Sequence, residues 1–485
     1  MKKETGRDLT QGSIFKSLFK LSLPIMLSNF MLTLYNLADT FWLGKLPENA
    51  KEAVSTAGLA FPLVFFLISF GFGFVVAGVA LISRYKGSNQ IHKLKKMIGQ
   101  SILILVSFST FFYVLGNLFL TDILRLLNTP ESIFQLATDY IQIIFLAMVF
   151  MFVFFTFQSI FYGLGDTVSP MKIQIFAVVL NVVLDPFFIF GWLGLPDMGT
   201  VGAAYATLIA RGIGALLAIL LAVKKLRDYL PSLEDLKPDY KMLKEILKIS
   251  IPASLSRSMT SFGFLFLQGF VNSFGTVVMS IYSIGNKMVG FFLMPARGIG
   301  SALSSFVGQN LGAKDIPRVK KGLHRALIMV MTIMTAGCLF MFLFGEMFTK
   351  FFIKNQDVIQ AGNVMFKIVS LAAWVFGIIF VFTGLFNGAG KTTSVFMFNV
   401  SRLWLFRIPL VYILSGKILE FDWFKIEFFK KIVNFLSSPL SEHPYEALWW
   451  GMLISNVLSA IWAFILYKRG KWKEVKEEVP KVRPE

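Results

Sequence analysis

Leu18-Phe19-Lys20-Leu21-Ser22-Leu23-Pro24 returns 228 residues later as Ile246-Leu247-Lys248-Ile249-Ser250-Ile251-Pro252. Two further pairs sit at an offset of 225. Gly87, Ile91, Lys93, Lys95 and Lys96 are matched by Gly312, Ile316, Arg318, Lys320 and Lys321, and the turn Gly163-Leu164-Gly165-Asp166-Thr167 by Gly388-Ala389-Gly390-Lys391-Thr392. Three matches at nearly one offset mark an internal duplication. Each copy opens a series of six apolar runs, near 15–43, 53–83, 97–120, 132–160, 170–190 and 200–223, then 246–273, 276–306, 324–345, 358–386, 393–415 and 446–467. Such runs suffice to cross a hydrocarbon core, which takes about 20 residues of helix. The expected fold is therefore an all-α integral membrane protein with twelve transmembrane helices in two pseudo-symmetric six-helix lobes. The expected boundaries are an N-terminal lobe 1–223, a linker 224–245, a C-terminal lobe 246–467 and a tail 468–485.

Composition agrees with the membrane reading. Mean hydropathy is +0.68, 55% of the 485 residues are apolar and only 15% are charged, against about 25% in a soluble domain. No small-residue cleavage site follows a short apolar segment near the N-terminus, so no cleaved targeting sequence is expected. The formal charge of +19 is explained by loop bias. Lys and Arg number 31 in the N-terminal segment and the connections on its side, and 9 in the opposite connections. The positive-inside rule then puts both termini in the cytoplasm and the chain in the cell membrane. The loops lack the aromatic-basic interleaving that stacks bases, so no nucleic-acid partner is expected. The single cysteine, Cys338, is read as packing, and segment 416–445, with Phe421, Trp423, Phe424, Phe428 and Phe429, as an outer interfacial amphipathic helix.

An even number of spans per copy gives both copies the same orientation. Parallel repeats of this kind bind substrate between the halves and rock about an axis along the membrane normal. Ionisable groups within spans cost about +2.5 to +3.5 kcal/mol at a helix centre, which makes them functional candidates. The only acids well inside are Asp39 and Asp185, each late in an outward-running span. Tyr35 and Asn36 precede Asp39, and Asn181 precedes Asp185, at spacings that share a helix face. Two carboxylates with amides and a phenol can hold a proton or a hard cation such as Na⁺. At the repeat offsets Asp39 falls on Leu267 and Asp185 on Leu410, so the acids break the symmetry. Bases fall the other way: Arg257, Lys287, Arg297, Lys367, Arg402 and Arg407 lie in second-half spans, and Arg211 alone in the first. Gln158, Arg257, Arg402 and Arg407 are the expected cavity contacts.

Other signals fail. Gly388–Thr392 imitates a phosphate loop, but Leu385 occupies the place of its first glycine. His92, His324 and His443 have no metal spacing, and no nucleophile stands with a base. An enzyme is not expected, and no cofactor beyond a coupling ion.

With its two six-span lobes, Pro24, Tyr35, Asp39, the Gly-x-Gly-x-Thr turn, and Asn181 with Asp185-Pro186, the chain resembles the multidrug and toxic compound extrusion (MATE) transporters across residues 15–467. The resemblance implies a secondary antiporter that exports small organic, often cationic, compounds in exchange for H⁺ or Na⁺. It points to the DNA-damage-inducible and archaeal-like branch, in which the span 1 acid couples and span 1 bends at a proline, here Pro24. The norfloxacin-export branch relies on acids in spans 7 and 10 that this chain lacks. The resemblance carries Asp39, Asn181 and Asp185 into the cation site, as metal ligands if Na⁺ couples. It also calls for a threonine from span 6, with Thr207 and Thr200 as candidates. A monomer is expected. The competing reading is a flippase for lipid-linked oligosaccharides or related lipids, for which Arg257, Arg402 and Arg407 would serve phosphate binding.

Overall fold

In a computed structural model the described residues, 6–47, 50–194, 196–420 and 427–474, are built from helices and connecting turns. The Asn36 and Phe428 side chains, Phe421, Trp423, Phe424 and the tail beyond residue 474 lie outside the described residues. Twelve long segments cross the molecule: α1 (Ile14–Leu43), α2 (Ala50–Gly87), α3 (Ile91–Leu118), α4 (Glu131–Leu164), α5 (Val168–Ile189), α6 (Gly199–Lys225), α7 (Tyr240–Asn272), α8 (Thr276–Phe292 with Met294–Gly312), α9 (Ile316–Phe352), α10 (Gln356–Gly388), α11 (Thr392–Leu414) and α12 (Ala447–Lys468). Ten are long and apolar enough to span a membrane, and α8 qualifies as a bent pair. The twelfth, α7, is diluted by Ser250, Ser254, Ser256, Arg257, Ser258 and Thr260, but its 33 residues would reach about 50 Å.

Helix ends are set by local chemistry. Ser13, Asp239, Asp315 and Asn355 cap α1, α7, α9 and α10, their side-chain oxygens accepting first-turn amides. These caps satisfy donors that have no partner within the helix. Helices overrun the apolar runs by a few residues because their charged ends stay helical outside the hydrocarbon.

Two features differ from the sequence reading. Span 8 is bent by 43° between Phe292 and Met294. Pro295 begins the second arm, and its missing N–H and fixed ring force the break. Within span 11, Ser401–Arg407 forms a π-helical turn. The outer segment after α11 contains a helix as expected, Glu427–Ser437 among the described residues.

The duplication is visible in the backbone. Asn89 (φ 56°) and Lys314 (φ 60°) both turn through the left-handed region, as do Gly165 (φ 84°) and Gly390 (φ 68°). Each pair is 225 residues apart. Helix packing obeys the same two-fold. The core of the first lobe is drawn from α2, α3, α4 and their neighbours, and that of the second from α8 to α12. Across the seam α1 lies against α8, α7 against α2, and α2 against α8, as a two-fold between α2 and α8 requires. At the end bearing the first residues of α1, the lobes touch backbone to backbone. Gly87 abuts Gln309, and Gly312 abuts Arg84, a contact and its symmetry mate. Arg84 Nη2 donates to Ala389 O (3.2 Å) and Gln309 Nε2 to Gly163 O (3.1 Å). Each therefore grips the glycine turn of the opposite lobe.

The first described residues close this seam. Arg7 N donates to Leu164 O, and Leu9 N to Gln309 Oε1. Asn310 and Arg318 donate back to Leu9 O. Leu9 is wholly buried. The connector between the lobes is likewise fastened: Gln100 Nε2 donates to Asp235 O and Lys237 O, and its Oε1 accepts from Asp239 N. Cys338 is buried in the second core.

Candidate functional site: a carboxyl pair in the first lobe

Asp39 stands near the end of α1 and Asp185 near the end of α5, and the packing of these helices brings the two carboxyl groups side by side. Asp185 is fully buried and Asp39 half-buried. Tyr35, one turn before Asp39, lies beside it and shares a 3.0 Å hydroxyl contact with Thr207 on α6. Asn181, one turn before Asp185, donates through Nδ2 to Asp185 Oδ1 (3.3 Å) and to Thr207 Oγ1 (3.5 Å). Three helices thus supply five side chains to one buried polar cluster. Thr207 is the threonine that joins them. Thr200, the alternative, is one helix turn or more away and makes none of these bonds.

One oxygen on each carboxyl, Asp39 Oδ1 and Asp185 Oδ2, has no hydrogen-bond donor, and neither has Asn181 Oδ1. Buried acceptors without partners are costly, so this cluster is built to receive something positive. A single proton held between the carboxyls would satisfy both. A bare cation could instead take oxygens from Asp39, Asp185 and Asn181. Two neighbours were not singled out from sequence as members of the site. Tyr140 on α4 is buried beside both acids, and Arg211 on α6 lies beside Asp39 with its guanidinium 6.0 Å from the Tyr35 ring. Arg211 is the one first-lobe base well inside a span, and that isolation was its only signal.

The remaining candidates separate. Pro24 lies inside α1, which continues through it as one helix. Gln158 is half-buried on α4 and donates to Tyr162, away from the acids. Arg257 on α7 reaches across the seam to stack on Phe72 of α2, 4.2 Å from the ring centre. Arg402 and Arg407 are buried in the second lobe, where both donate to Asn456 Oδ1. Lys287 and Lys367 are exposed. Among the described residues no cluster of His, Cys, Asp and Glu has the makings of a multi-ligand metal centre. The phosphate-loop imitation is a helix–turn–helix corner, with Thr392 Oγ1 donating to Ile249 O.

Comparison with known proteins extends the same reading. The MatE family model matches twice, at residues 24–187 and 252–413, once for each copy of the duplication. A probable multidrug resistance protein of Bacillus subtilis, YpnP, is 28% identical over 97% of this chain and 98% of its own. The multidrug export protein MepA of Staphylococcus aureus is 25% identical over 86% and 90%. Among solved structures, the Vibrio cholerae MATE transporter VcmN in the bent form superposes with a TM-score of 0.83 at 22% identity, over 94% of this chain and 96% of that one. A MOP superfamily transporter of Pyrococcus furiosus, described as having a binding pocket of reverse polarity that suggests a different function, gives 0.82 at 21%, over 98% of this chain and 100% of that one.

Proposed function

This chain belongs to the multidrug and toxic compound extrusion family, a multi-pass membrane transporter and not an enzyme, and from that premise we propose that it exports small organic compounds by antiport against protons. The observation that carries the coupling ion is the contact between Asp39 and Asp185. Two carboxyls side by side in a buried cluster are stabilised by a proton shared between them, and like charges this close cannot both stay ionised. Arg211 beside Asp39 further disfavours a second resident cation. In this reading, a proton entering from outside neutralises the pair and is later released to the cytoplasm, while substrate travels outward through the cleft between the lobes. No cofactor beyond the coupling ion enters the scheme. The lobes are taken as 1–223 and 246–467, joined by 224–245. The coupling cluster is complete within one chain, which supports a monomer as the working unit.

Na⁺ is the second reading, and the unpartnered Asn181 Oδ1 favours it. Purified protein in proteoliposomes separates the two. Addition of a fluorescent organic cation should dissipate an imposed pH gradient, with no requirement for Na⁺. Dissipation of a Na⁺ gradient at constant pH would transfer the coupling to Na⁺, and movement under neither gradient would end the antiport proposal.

Loop charge supports a cytoplasmic location for both termini in the cell membrane. Reporters fused after Lys96, Lys237 and Lys320 are therefore expected to read cytoplasmic, and after Lys51, Pro196 and Pro439 external. One loop reading the other way would break the twelve-span order.

The family resemblance also assigns Pro24 as a hinge. Pro24 and Pro252 lie inside α1 and α7 at symmetry-related places, leaving the carbonyls of Lys20 and Lys248 without their helical donors. Only α1 carries an acid further along. Pro24→Ala is therefore expected to slow gradient-driven export severalfold, with substrate binding nearly unchanged, whereas Pro252→Ala costs less. Initial rates at matched expression test this, and equal losses would mean that α1 is no switch.

A further inference from the structure

We propose that the second lobe contains an anion-binding site, a cavity of about 290 Å³ that receives a carboxylate or phosphate group. The inference rests on the transporter reading for its use, but not for its chemistry. The cavity is lined by Arg297, Arg407, Tyr282, Trp449 and Leu267, with Phe376 forming part of its wall. Arg402 stands behind that wall, its guanidinium 4.2 Å from the centre of the Phe376 ring. No carboxylate lines the cavity. Among the described residues, none forms an ion pair with Arg297, Arg402 or Arg407.

Buried cations without counter-charges are expensive and rarely kept for stability. Arg402 and Arg407 are only 2% and 4% exposed, and their neutral partners, Ser455 and Asn456, leave donors over. The Nε–H of Arg402 has no acceptor, and neither has the indole N–H of Trp449, which is 3% exposed and lines the cavity. Forked guanidinium donors are suited to carboxylate and phosphate.

The backbone is shaped to make this arrangement. Arg402 and Arg407 are five residues apart, a spacing that an α-helix places on different faces. They lie in the π-helical turn Ser401–Arg407, whose i→i+5 bonding stacks such residues, and both reach the same oxygen of Asn456. The position of the cavity in the repeat gives it a meaning. Leu267, which lines it, is the symmetry counterpart of Asp39, and Leu410, counterpart of Asp185, adjoins the lining residue Val411. Equivalent places in the two lobes thus hold a carboxyl pair and a guanidinium cluster. A transporter with this pair of sites would favour zwitterions and amphiphilic anions over simple cations.

Calorimetric titration of the purified full-length protein in detergent, without any gradient, tests the site independently of antiport. The anionic probes are benzoate, inorganic phosphate and dihexanoyl phosphatidic acid, and the comparators are benzamide and benzyltrimethylammonium. Saturable binding is expected for at least one anion and not for benzamide, and any binding of benzyltrimethylammonium should survive the arginine substitutions that weaken anion binding. Arg297→Gln, at an exposed residue lining the cavity whose loss should not disturb folding, and Arg407→Gln should each weaken anion binding by about tenfold or more. Arg407→Lys should weaken it less than Arg407→Gln. Binding of phosphatidic acid alone would identify a lipid headgroup as the source, and binding of benzoate or phosphate a free solute; either supports the site. Absence of binding by all three anions, or undiminished binding in Arg297→Gln and Arg407→Gln, would overturn it.

Discussion

Asp39→Asn is expected to leave the protein folded and inserted while abolishing gradient-driven export. The asparagine amide is nearly the size of the carboxyl and can donate to Asp185, so the buried cluster keeps its packing and gains a permanent substitute for the shared proton. The site is then locked in the equivalent of its loaded state. Because no group there changes charge, the imposed gradient has nothing to act on. Proteoliposomes should show a loss of coupled export of about a hundredfold, the scale on which an essential intramembrane acid acts when the alternative is no charge transfer at all. Asp185→Asn should also lose most export. It is buried more deeply and bonded by Asn181, so its replacement disturbs the cluster more and the coupling in the same sense. Coupled transport at the wild-type rate by purified Asp39→Asn protein would remove this residue from the mechanism.

The sequence made the two acids legible because unpaired carboxylates are rare within apolar spans, and helical spacing then assigned Tyr35 and Asn181 to the same faces. Thr207 could be named but not chosen, since a threonine in a span has no charge to mark it; only the crossing of α6 over α1 and α5 distinguishes it from Thr200. The duplication was legible because turns conserve their chemistry. Glycine at 165 and 390 fills left-handed positions, and such positions tolerate few other residues. What could not be read were the places where one copy departs from the other in backbone alone. The bend before Met294 has no counterpart in α2, although Pro295 was its signal. The π-helical turn in α11 has no counterpart in α5, and no residue type encodes i→i+5 bonding directly. Leu9 could not be read either. It is a single apolar residue in a polar leader, yet its burial depends on Gln309, Asn310 and Arg318, some three hundred residues away.

The seam at Gly87 and Gly312 yields the second large effect, a shift of the conformational equilibrium by a single methyl group. Both glycines are helical and neither has a positive φ, so alanine would be favoured locally by about 1 kcal/mol. A Cβ at Gly87, however, would fall on the backbone of Gln309, and a Cβ at Gly312 on the backbone of Arg84. Backbone cannot rotate away as a side chain can, so the lobes must separate there. Overpacking of this kind costs about 1–3 kcal/mol, and the cost exists only while the seam is closed. The local gain is the same whether the lobes are closed or apart and cancels from their ratio, so the clash alone shifts the equilibrium. At about 1–3 kcal/mol, with 1.4 kcal/mol a factor of ten in an equilibrium, the closed-to-open ratio should fall by about fivefold to a hundredfold. Export should fall with it, because alternating access needs both states. The reporter is Ser83→Cys, placed at the buried seam in protein whose native Cys338 has been replaced by serine. A bulky polar thiol reagent should label it faster in both Gly87→Ala and Gly312→Ala, and by similar factors because the two contacts are symmetry mates. Gly269→Ala is the control, since a Cβ there meets nothing within 4 Å. Labelling and export that match the control in both variants would show that the lobes do not depend on this contact to close.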